Sequence, residues 1–353
     1  MSERIPAIVL GGTGYVAGEL LRLLAGHPQL QVAAVLSESQ PGGSIATAFP
    51  HLRSSYPALK FSGIEEIESF LRTTPRSALF SAAPHGVAAG LIDRLLAAAE
   101  GAGRRIHCVD ISADFRYSSA EAYEAVYKHS HGAPARIAQF TCAVPEHLPT
   151  APTSHVSHPG CFATATLLAS VPLLALDLTD ARLFVTGITG STGAGRKPVE
   201  GTHHPQRHSD LYSYGALSHR HEPEITACAQ FATGKAAEFN FVPHSGPFAR
   251  GIHVTVQANL KKAITTAEAL AALAAHYRHS PFVRVLDTAP RVKDVATSNY
   301  ANLSAVSNGR SIAVMSVLDN LNKGAAGGAV QWMNRLLGFD ESLGLTAPAP
   351  GWT

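Results

Sequence analysis

Four apolar residues, Ala7 to Leu10, run straight into Gly11-Gly12-Thr13-Gly14-Tyr15-Val16-Ala17-Gly18, and few folds can use such a junction. Small residues between a strand and a helix let the backbone turn tightly and approach an anion held at the helix N-terminus; the spacing contains GxGxxA at Gly12, Gly14 and Ala17. Glu19 to Ala25 is helical in pattern and Val32 to Leu36 is β-rich, which completes a βαβ unit. The alternation continues through the apolar run Ala78 to Ala82, the Ala- and Leu-rich helix Val87 to Ala99, and the strand Ile106 to Ile111. A doubly wound parallel α/β sheet of the Rossmann kind follows.

After about Pro149 the texture changes. A Gly- and Ser-rich stretch at 187–195, a His-rich stretch at 203–221, and the alternating segments Gly251 to Leu260 and Ser311 to Leu318 read as antiparallel strands of a second, α+β domain. Gly327 to Leu337 is helical again and is expected to return to the first domain, while Pro348 to Thr353 reads as a loose tail. A chain of 353 residues exceeds the size at which single cores stop growing. The expected division is 1–158 with 327–353 for the nucleotide domain, and 159–326 for the catalytic and dimerisation domain.

The formal charge of +2, with no long Lys or Arg run, indicates neither nucleic acid nor a polybasic membrane anchor. The opening Met1 to Pro6 leads into an apolar run too short for a signal-peptide core or a spanning helix, so the expected location is cytoplasmic. Four cysteines without CxxC spacing make neither a disulfide framework nor a zinc site. A small soluble ligand is the expected partner.

One cysteine stands out. In His158-Pro159-Gly160-Cys161-Phe162-Ala163-Thr164, Pro-Gly marks a turn and the Ala- and Leu-rich stretch after it reads as a helix through Ser170. A thiol there sits at the positive end of a helix dipole, which favours the thiolate. Cys108, Cys142 and Cys228 read as core. A thiolate nucleophile needs a proton carrier, and His219-Arg220-His221-Glu222-Pro223-Glu224-Ile225 offers two histidines among the chain's eighteen. His204 and His208 stand four apart, as zinc ligands on a helix would, but Pro205 argues against a helix presenting both, and no metal is expected. Arg116, Arg196 with Lys197, and Arg250 are the candidates for holding an anionic substrate. The cofactor ribose belongs at the end of the second strand, where Ser37 and Ser39 could donate to a 2′-phosphate and Glu38 would repel it.

These motifs resemble the N-acetyl-gamma-glutamyl-phosphate reductase family along almost the whole chain. Beyond the glycine turn and the Cys161 and His219 segments, the resemblance is carried by Ala83-Pro84-His85-Gly86, Val109 to Arg116, Val144-Pro145-Glu146, Gly190 to Arg196, Arg250-Gly251-Ile252 and Asp319 to Gly327. It implies a Rossmann NADP domain, a glyceraldehyde-3-phosphate dehydrogenase-like catalytic domain with a mainly antiparallel sheet, and a homodimer or homotetramer. It carries the nucleophile onto Cys161 and the acid/base role onto His219, with substrate contacts at Arg116, His221, Glu224 and Arg250. Cofactor contacts fall on Gly11, Gly12, Thr13, Gly14, Tyr15, Val16, Ser37, Ser39, Pro84, Ser191, Gly193 and Asn320. The implied reaction is NADPH-dependent reduction of N-acetyl-gamma-glutamyl phosphate through a Cys161 thioester, in arginine biosynthesis.

The chain departs from the family pattern in places. His158 stands where Asn usually precedes Pro-Gly-Cys, Phe162-Ala163 replaces Tyr-Pro, and Glu38 replaces a common basic residue. The competing readings are a related reductase acting on an N-succinyl-glutamyl or amino-adipyl phosphate, and a nucleotide-binding regulatory protein that kept the fold without the chemistry.

Overall fold

The computed structural model describes residues 4–352, so expectations resting on residues 1–3 and 353 lie outside it. The chain divides into two compact units: one contains the residues up to Cys142, Thr150–His158 and Ala326–Leu345, and the other Ala143–Pro149, Pro159–Ala325 and the residues from Thr346 on. Residues 143–149 thus group with the second unit rather than with their sequence neighbours. The reason is local chemistry: Glu146 pairs with Lys323 and His147 bonds to Tyr277.

In the first unit, β1 (Ile5–Leu10), β2 (Leu30–Val35), β3 (Arg76–Ser81), β4 (Arg105–Asp110), β5 (Phe140–Cys142) and β6 (His155–Ser157) form one sheet in the order β2-β1-β3-β4-β6-β5. Every pairing is parallel. From β1 the chain moves to β2 on one side and to β3 on the other, so the carboxyl ends of β1 and β3 flank the switch point at which open α/β sheets bind ligands. Ala7 to Leu10 are fully buried, as a strand covered on both faces must be. The helices are α1 (Tyr15–Ala25), the one-turn α2 (Ile45–Ala48), α3 (Ile64–Thr73), α4 (Ala88–Gly101) and α5 (Ala120–Tyr127), joined by α10 (Gly327–Leu337), which lies against β4 and α1. α1 begins four residues before the expected Glu19. Its first turn packs tightly: a Cβ on Gly18 would stand 2.8 Å from the Phe49 ring.

In the second unit the strands are β7 (Arg182–Thr189), β8 (Tyr212–Ser213), β9 (Glu238–Ser245), β10 (Ile252–Asn259), β11 (Val283–Val285), β12 (Ala301–Ser307) and β13 (Ser311–Leu318). They form a sheet in the order β11-β12-β13-β10-β7-β9-β8. It is mainly antiparallel, but β7 with β9 and β11 with β12 run parallel. The helices are α6 (Cys161–Ala175), α7 (His204–Arg207), α8 (Glu222–Thr233) and α9 (Thr266–His276). Parallel neighbours need a crossover, and the chain between β7 and β9 includes α8, the longer of the two α-helices there.

Two expectations are corrected here. The His-rich stretch 203–221 contributes only the two residues of β8 to the sheet; the rest is the one-turn α7 and connecting loop. α7 forms despite Pro205, because proline in a first helical turn removes an N–H that has no partner anyway. The rings of His204 and His208 lie 5.3 Å apart. The helix after Cys161 runs past Ser170 to Ala175 with Pro172 inside it. Pro172 cannot donate to the Leu168 carbonyl four residues back; the Tyr277 hydroxyl donates to that oxygen instead, at 2.7 Å. From Phe162 to Leu174 every residue of α6 is buried, so packing rather than a polar face holds the helix in place.

Candidate active site

In the first unit the backbone itself forms the cradle. Gly11 has φ +77°, and a Cβ there would stand 2.3 Å from the Ala82 carbonyl oxygen, at the end of β3. On Gly12 a Cβ would meet the Leu36 carbonyl oxygen at 2.7 Å, and the Gly12 N–H donates to that same oxygen at 2.8 Å. The residue that requires left-handed backbone is therefore Gly11, one position before the GxGxxA spacing read from the sequence, because the chain must turn directly off β1 past β3. Gly14 caps α1 and brings no side chain of its own to the first N–H groups of the helix. Thr13, Tyr15 and Val16 complete this turn. The arrangement fits the pyrophosphate of a dinucleotide.

The other first-unit residues lie at the carboxyl ends of the same strands. Ser37 is buried after β2, with its hydroxyl 3.3 Å from that of exposed Ser39 and accepting from the Gln40 N–H; Glu38 is exposed between them. Pro84 follows β3, and its carbonyl accepts the Val87 and Ala88 N–H groups at the start of α4. Asp114 accepts the N–H groups of Gly86 and Ala89 and the Tyr123 hydroxyl. Burial pushes the Asp110 carboxyl, at the end of β4, up to about 6 against the opposing hydrogen bonds from Ser112. Arg116 is buried, donating to the His158 carbonyl at 3.1 Å and the Ile111 carbonyl at 2.7 Å. Its guanidinium ties the chain just after β4 to the chain just after β6.

In the second unit Cys161 is the first residue of α6, half-buried, with Gly160 as the cap. The Gly160 N–H donates to the fully buried Glu224 carboxylate at 2.7 Å, so Glu224 holds the Pro-Gly turn that presents the thiol. Cys161 opens onto a cleft of about 530 Å³, which is also lined by Ser191, Gly193, Tyr214, His219 and His221. His219 stands in an aromatic box, with ring centroids 5.9 Å from Phe162, 5.3 Å from Phe241 and 4.7 Å from His221. Burial, helped by the charge of Arg220, lowers its pKa to about 4, so it is neutral at physiological pH. Its Nδ1 accepts the His221 N–H at 3.1 Å, which assigns the ring proton to Nε2. The neutral ring thus carries a hydrogen-bond donor.

Tyr214, which sequence reasoning missed, lines the same cleft 5.6 Å from the His219 ring. Burial and then the negative charge of Cys161 push its hydroxyl well above the usual range. Nothing in Ser213-Tyr214-Gly215 marks it, since a tyrosine in a polar loop has no spacing signature. Arg250 forms a two-pronged pair with Asp319, at 2.6 and 3.2 Å, and Asp319 also accepts the N–H groups of Thr297, Leu321 and Asn322. Asn320 accepts the Gly251 N–H at 2.7 Å and donates to the Thr192 hydroxyl at 3.0 Å, bracing the 190–193 loop. Arg196 and Lys197 are exposed. Among the described residues no three His, Cys, Asp or Glu side chains gather as metal ligands would.

Of the residues singled out by sequence, then, the second unit brings Cys161, His219, His221, Ser191 and Gly193 to one cleft. Glu224 supports the turn before Cys161 and Asn320 the 190–193 loop, while Arg250 pairs with Asp319.

Comparison with known proteins agrees with this architecture. Residues 6–153 match the semialdehyde dehydrogenase NAD-binding domain and residues 161–320 the semialdehyde dehydrogenase dimerisation domain. The N-acetyl-gamma-glutamyl-phosphate reductases of Ectopseudomonas mendocina and Azotobacter vinelandii are each 38% identical over 348 residues, 97% of this chain and 98% of theirs. Among solved structures, aspartate semialdehyde dehydrogenase II of Vibrio cholerae superposes with a TM-score of 0.69 at 16% identity, over 95% of this chain and 99% of that one. The aspartate semialdehyde dehydrogenase of Candida albicans does so with a TM-score of 0.64 at 14% identity, over 97% and 100%. With full-length relatives at this identity and both semialdehyde dehydrogenase domains matched along the chain, the chain belongs to the N-acetyl-gamma-glutamyl-phosphate reductase family.

Proposed function

We propose that this protein reduces N-acetyl-gamma-glutamyl phosphate to N-acetylglutamate 5-semialdehyde and phosphate with NADPH, as a step of arginine biosynthesis in the cytoplasm. The observation that carries the reading is Cys161 in the first turn of a buried helix, opening onto the same cleft as a neutral histidine with its proton on Nε2.

The Cys161 sulfur attacks the acyl carbon, the carbon–oxygen bond to the phosphate breaks, phosphate leaves, and a thioester remains on Cys161. Reduction of this thioester needs a hydride, which a nicotinamide cofactor would supply when bound. His219 donates from Nε2–H to the substrate oxygen as negative charge builds on it, and the α6 N-terminus favours the same charge. When the carbon–sulfur bond breaks, the carbonyl re-forms as the aldehyde and Cys161 recovers its electron pair. Glu224 keeps the Pro159-Gly160 turn, and with it the thiol, in position.

Within the first unit, Gly11, Gly12, Thr13, Gly14, Tyr15 and Val16 would hold the pyrophosphate, Ser37 and Ser39 the ribose side, and Pro84 a further part of the cofactor; Ser191, Gly193 and Asn320 are the second unit's own candidate cofactor contacts. The two serines after β2 support NADP, and exposed Glu38 weakens that preference. In the second unit a substrate anion falls to His221 directly in the cleft, and to Arg250 only if its carboxylate partner is shared; Arg116, in the first unit, would take an anion only if its backbone partners were shared. Half-exposed Phe184 and Val306 on the second unit's sheet support assembly into a homodimer or homotetramer. Among the described residues no helix is long and apolar enough to cross a membrane.

The test runs the reaction in reverse, because acyl phosphates are labile: protein, N-acetylglutamate semialdehyde, phosphate and NADP or NAD, followed by absorbance of the reduced cofactor. Phosphate-dependent reduction, faster with NADP, is the expected result. Turnover only with the succinylated or amino-adipyl semialdehyde would reassign the substrate, and nucleotide binding without turnover on any of them would favour the regulatory reading.

A further inference from the structure

Behind Cys161 lies a buried ion pair that the chemistry above does not use. Lys323 Nζ and Glu146 Oε1 are 2.6 Å apart, and both side chains are 0% exposed. Removing two charges from water costs several kcal/mol per ion, and such pairs are often no more stabilising than apolar side chains of the same volume. Stability alone is therefore a poor account of this one, and its surroundings suggest another.

Lys323 belongs to the π-helical turn Asn322–Ala326, a form of helix frequent at functional sites. Its neighbour Gly324 lies against the cysteine: a Cβ there would stand 2.8 Å from Cys161 Cβ and 3.1 Å from Cys161 Cα. The Gly324 N–H donates to the Asp319 carbonyl, so one end of the turn is tied to the Arg250–Asp319 hub. The other tie is Lys323 to Glu146. Next to Glu146, burial lowers the His147 pKa to about 3, so the ring is neutral. With the Tyr277 hydroxyl donating to Leu168, His147 Nε2–H donates to the Tyr277 oxygen at 2.8 Å. Leu168 is the α6 residue whose carbonyl Pro172 leaves without a helical donor. The Glu146-His147 segment thus reaches α6 twice, through Lys323 and Gly324 at Cys161 and through Tyr277 at Leu168.

We propose that Lys323 and Glu146 are positioning residues for Cys161: the directional ion pair fixes the π-turn, and the π-turn, pressed on the cysteine through Gly324, fixes where the thiol points. An apolar pair of equal volume would fill the same space without fixing a direction. This rests on Cys161 being the nucleophile, so one readout is chosen that does not need turnover.

The experiment uses the full chain, with kcat, KM, thermal midpoint and the rate at which iodoacetamide alkylates Cys161, located by peptide mapping with half-buried Cys142 as internal control. Glu146→Gln keeps the shape and removes one charge; the double variant Glu146→Leu with Lys323→Met keeps a buried pair without direction. Because misplacement by about an ångström can cost about 100-fold, kcat should fall ~10-fold in the first and ~100-fold in the second, with KM within about three-fold. Cys161 alkylation should change several-fold while Cys142 does not. Wild-type kcat and wild-type Cys161 alkylation in either folded variant would overturn the proposal, as would losses of kcat that only track the thermal midpoint. If Cys161→Ser kept its turnover the nucleophile assignment would fall, whereas unchanged Cys161 alkylation in the pair variants would defeat the positioning claim by itself.

Discussion

At Gly11 the polypeptide leaves no room for a side chain, since a Cβ would stand 2.3 Å from a carbonyl oxygen, whereas at Cys161 a single side chain is the point of the construction. Around the first, a ligand would meet backbone N–H groups at a turn and a helix start. Around the second, Glu224 bonds the turn that precedes the thiol, Gly324 lies against the cysteine, and His219 lines the same cleft. Backbone recognition is hard to mutate except by adding atoms; side-chain chemistry is lost by removing one. The two regions should therefore fail in different ways when altered.

The largest separation comes from the cysteine. Cys161→Ser is expected to lower turnover by about 10⁴-fold or more, as loss of a nucleophile does, while nucleotide affinity measured by calorimetry stays at the wild-type value. Gly11→Ala should do the reverse: strain at φ +77° plus the clash with Ala82 should abolish nucleotide binding, with iodoacetamide alkylation of Cys161 unchanged. Loss of both properties in either variant would break the comparison.

Next is His219. If it works as a neutral donor, His219→Ala should cost about 10² to 10³ in kcat, the usual worth of one such donor, and His219→Asn, which keeps an N–H, should recover part of that. Equal loss in both variants would favour a proton carrier instead.

Smaller effects concern support. Tyr277→Phe leaves the Leu168 carbonyl and His147 without a partner and should cost about 1–3 kcal/mol of stability by urea unfolding. Burial holds His147, His155 and His219 at about 3, 4 and 4, below their value of 6.5 in the unfolded chain. Each therefore binds its proton more readily when unfolded, so stability should be full above pH 6.5 and fall as the pH drops towards 4. A urea midpoint that held constant across that window would contradict these burial assignments.

The same contrast governs what could be read before the fold was known. A glycine turn after a strand is legible because only glycine tolerates the geometry, and Cys161 because Pro159-Gly160 and an alanine-rich helix stand around it. The exact turn residue was not, because it depends on how close β3 passes. The full length of α6 was hidden as well: a proline normally ends a helix, and the hydroxyl that rescues Leu168 lies 109 residues away. Charge told which arginines could hold an anion, but not that Arg116 would meet backbone carbonyls or Arg250 the Asp319 carboxylate. Tyr214 carried no local signal, and although Glu146 and Lys323 each lie in a segment that carries the family resemblance, nothing local shows that they pair, since each is defined by a neighbour remote in sequence. Parallel pairing of β7 with β9 was missed because the His-rich stretch before α8 read as strand.

The most direct test of the central claim omits the reduced cofactor. Fresh N-acetyl-gamma-glutamyl phosphate, mixed with the protein alone, should release one equivalent of phosphate per chain and leave an acyl mass on the Cys161 peptide that hydroxylamine removes. Phosphate release only when reduced cofactor is present, with no acyl group found on Cys161, would contradict the thioester and leave His219 and its cleft to be explained by direct reduction of the acyl phosphate.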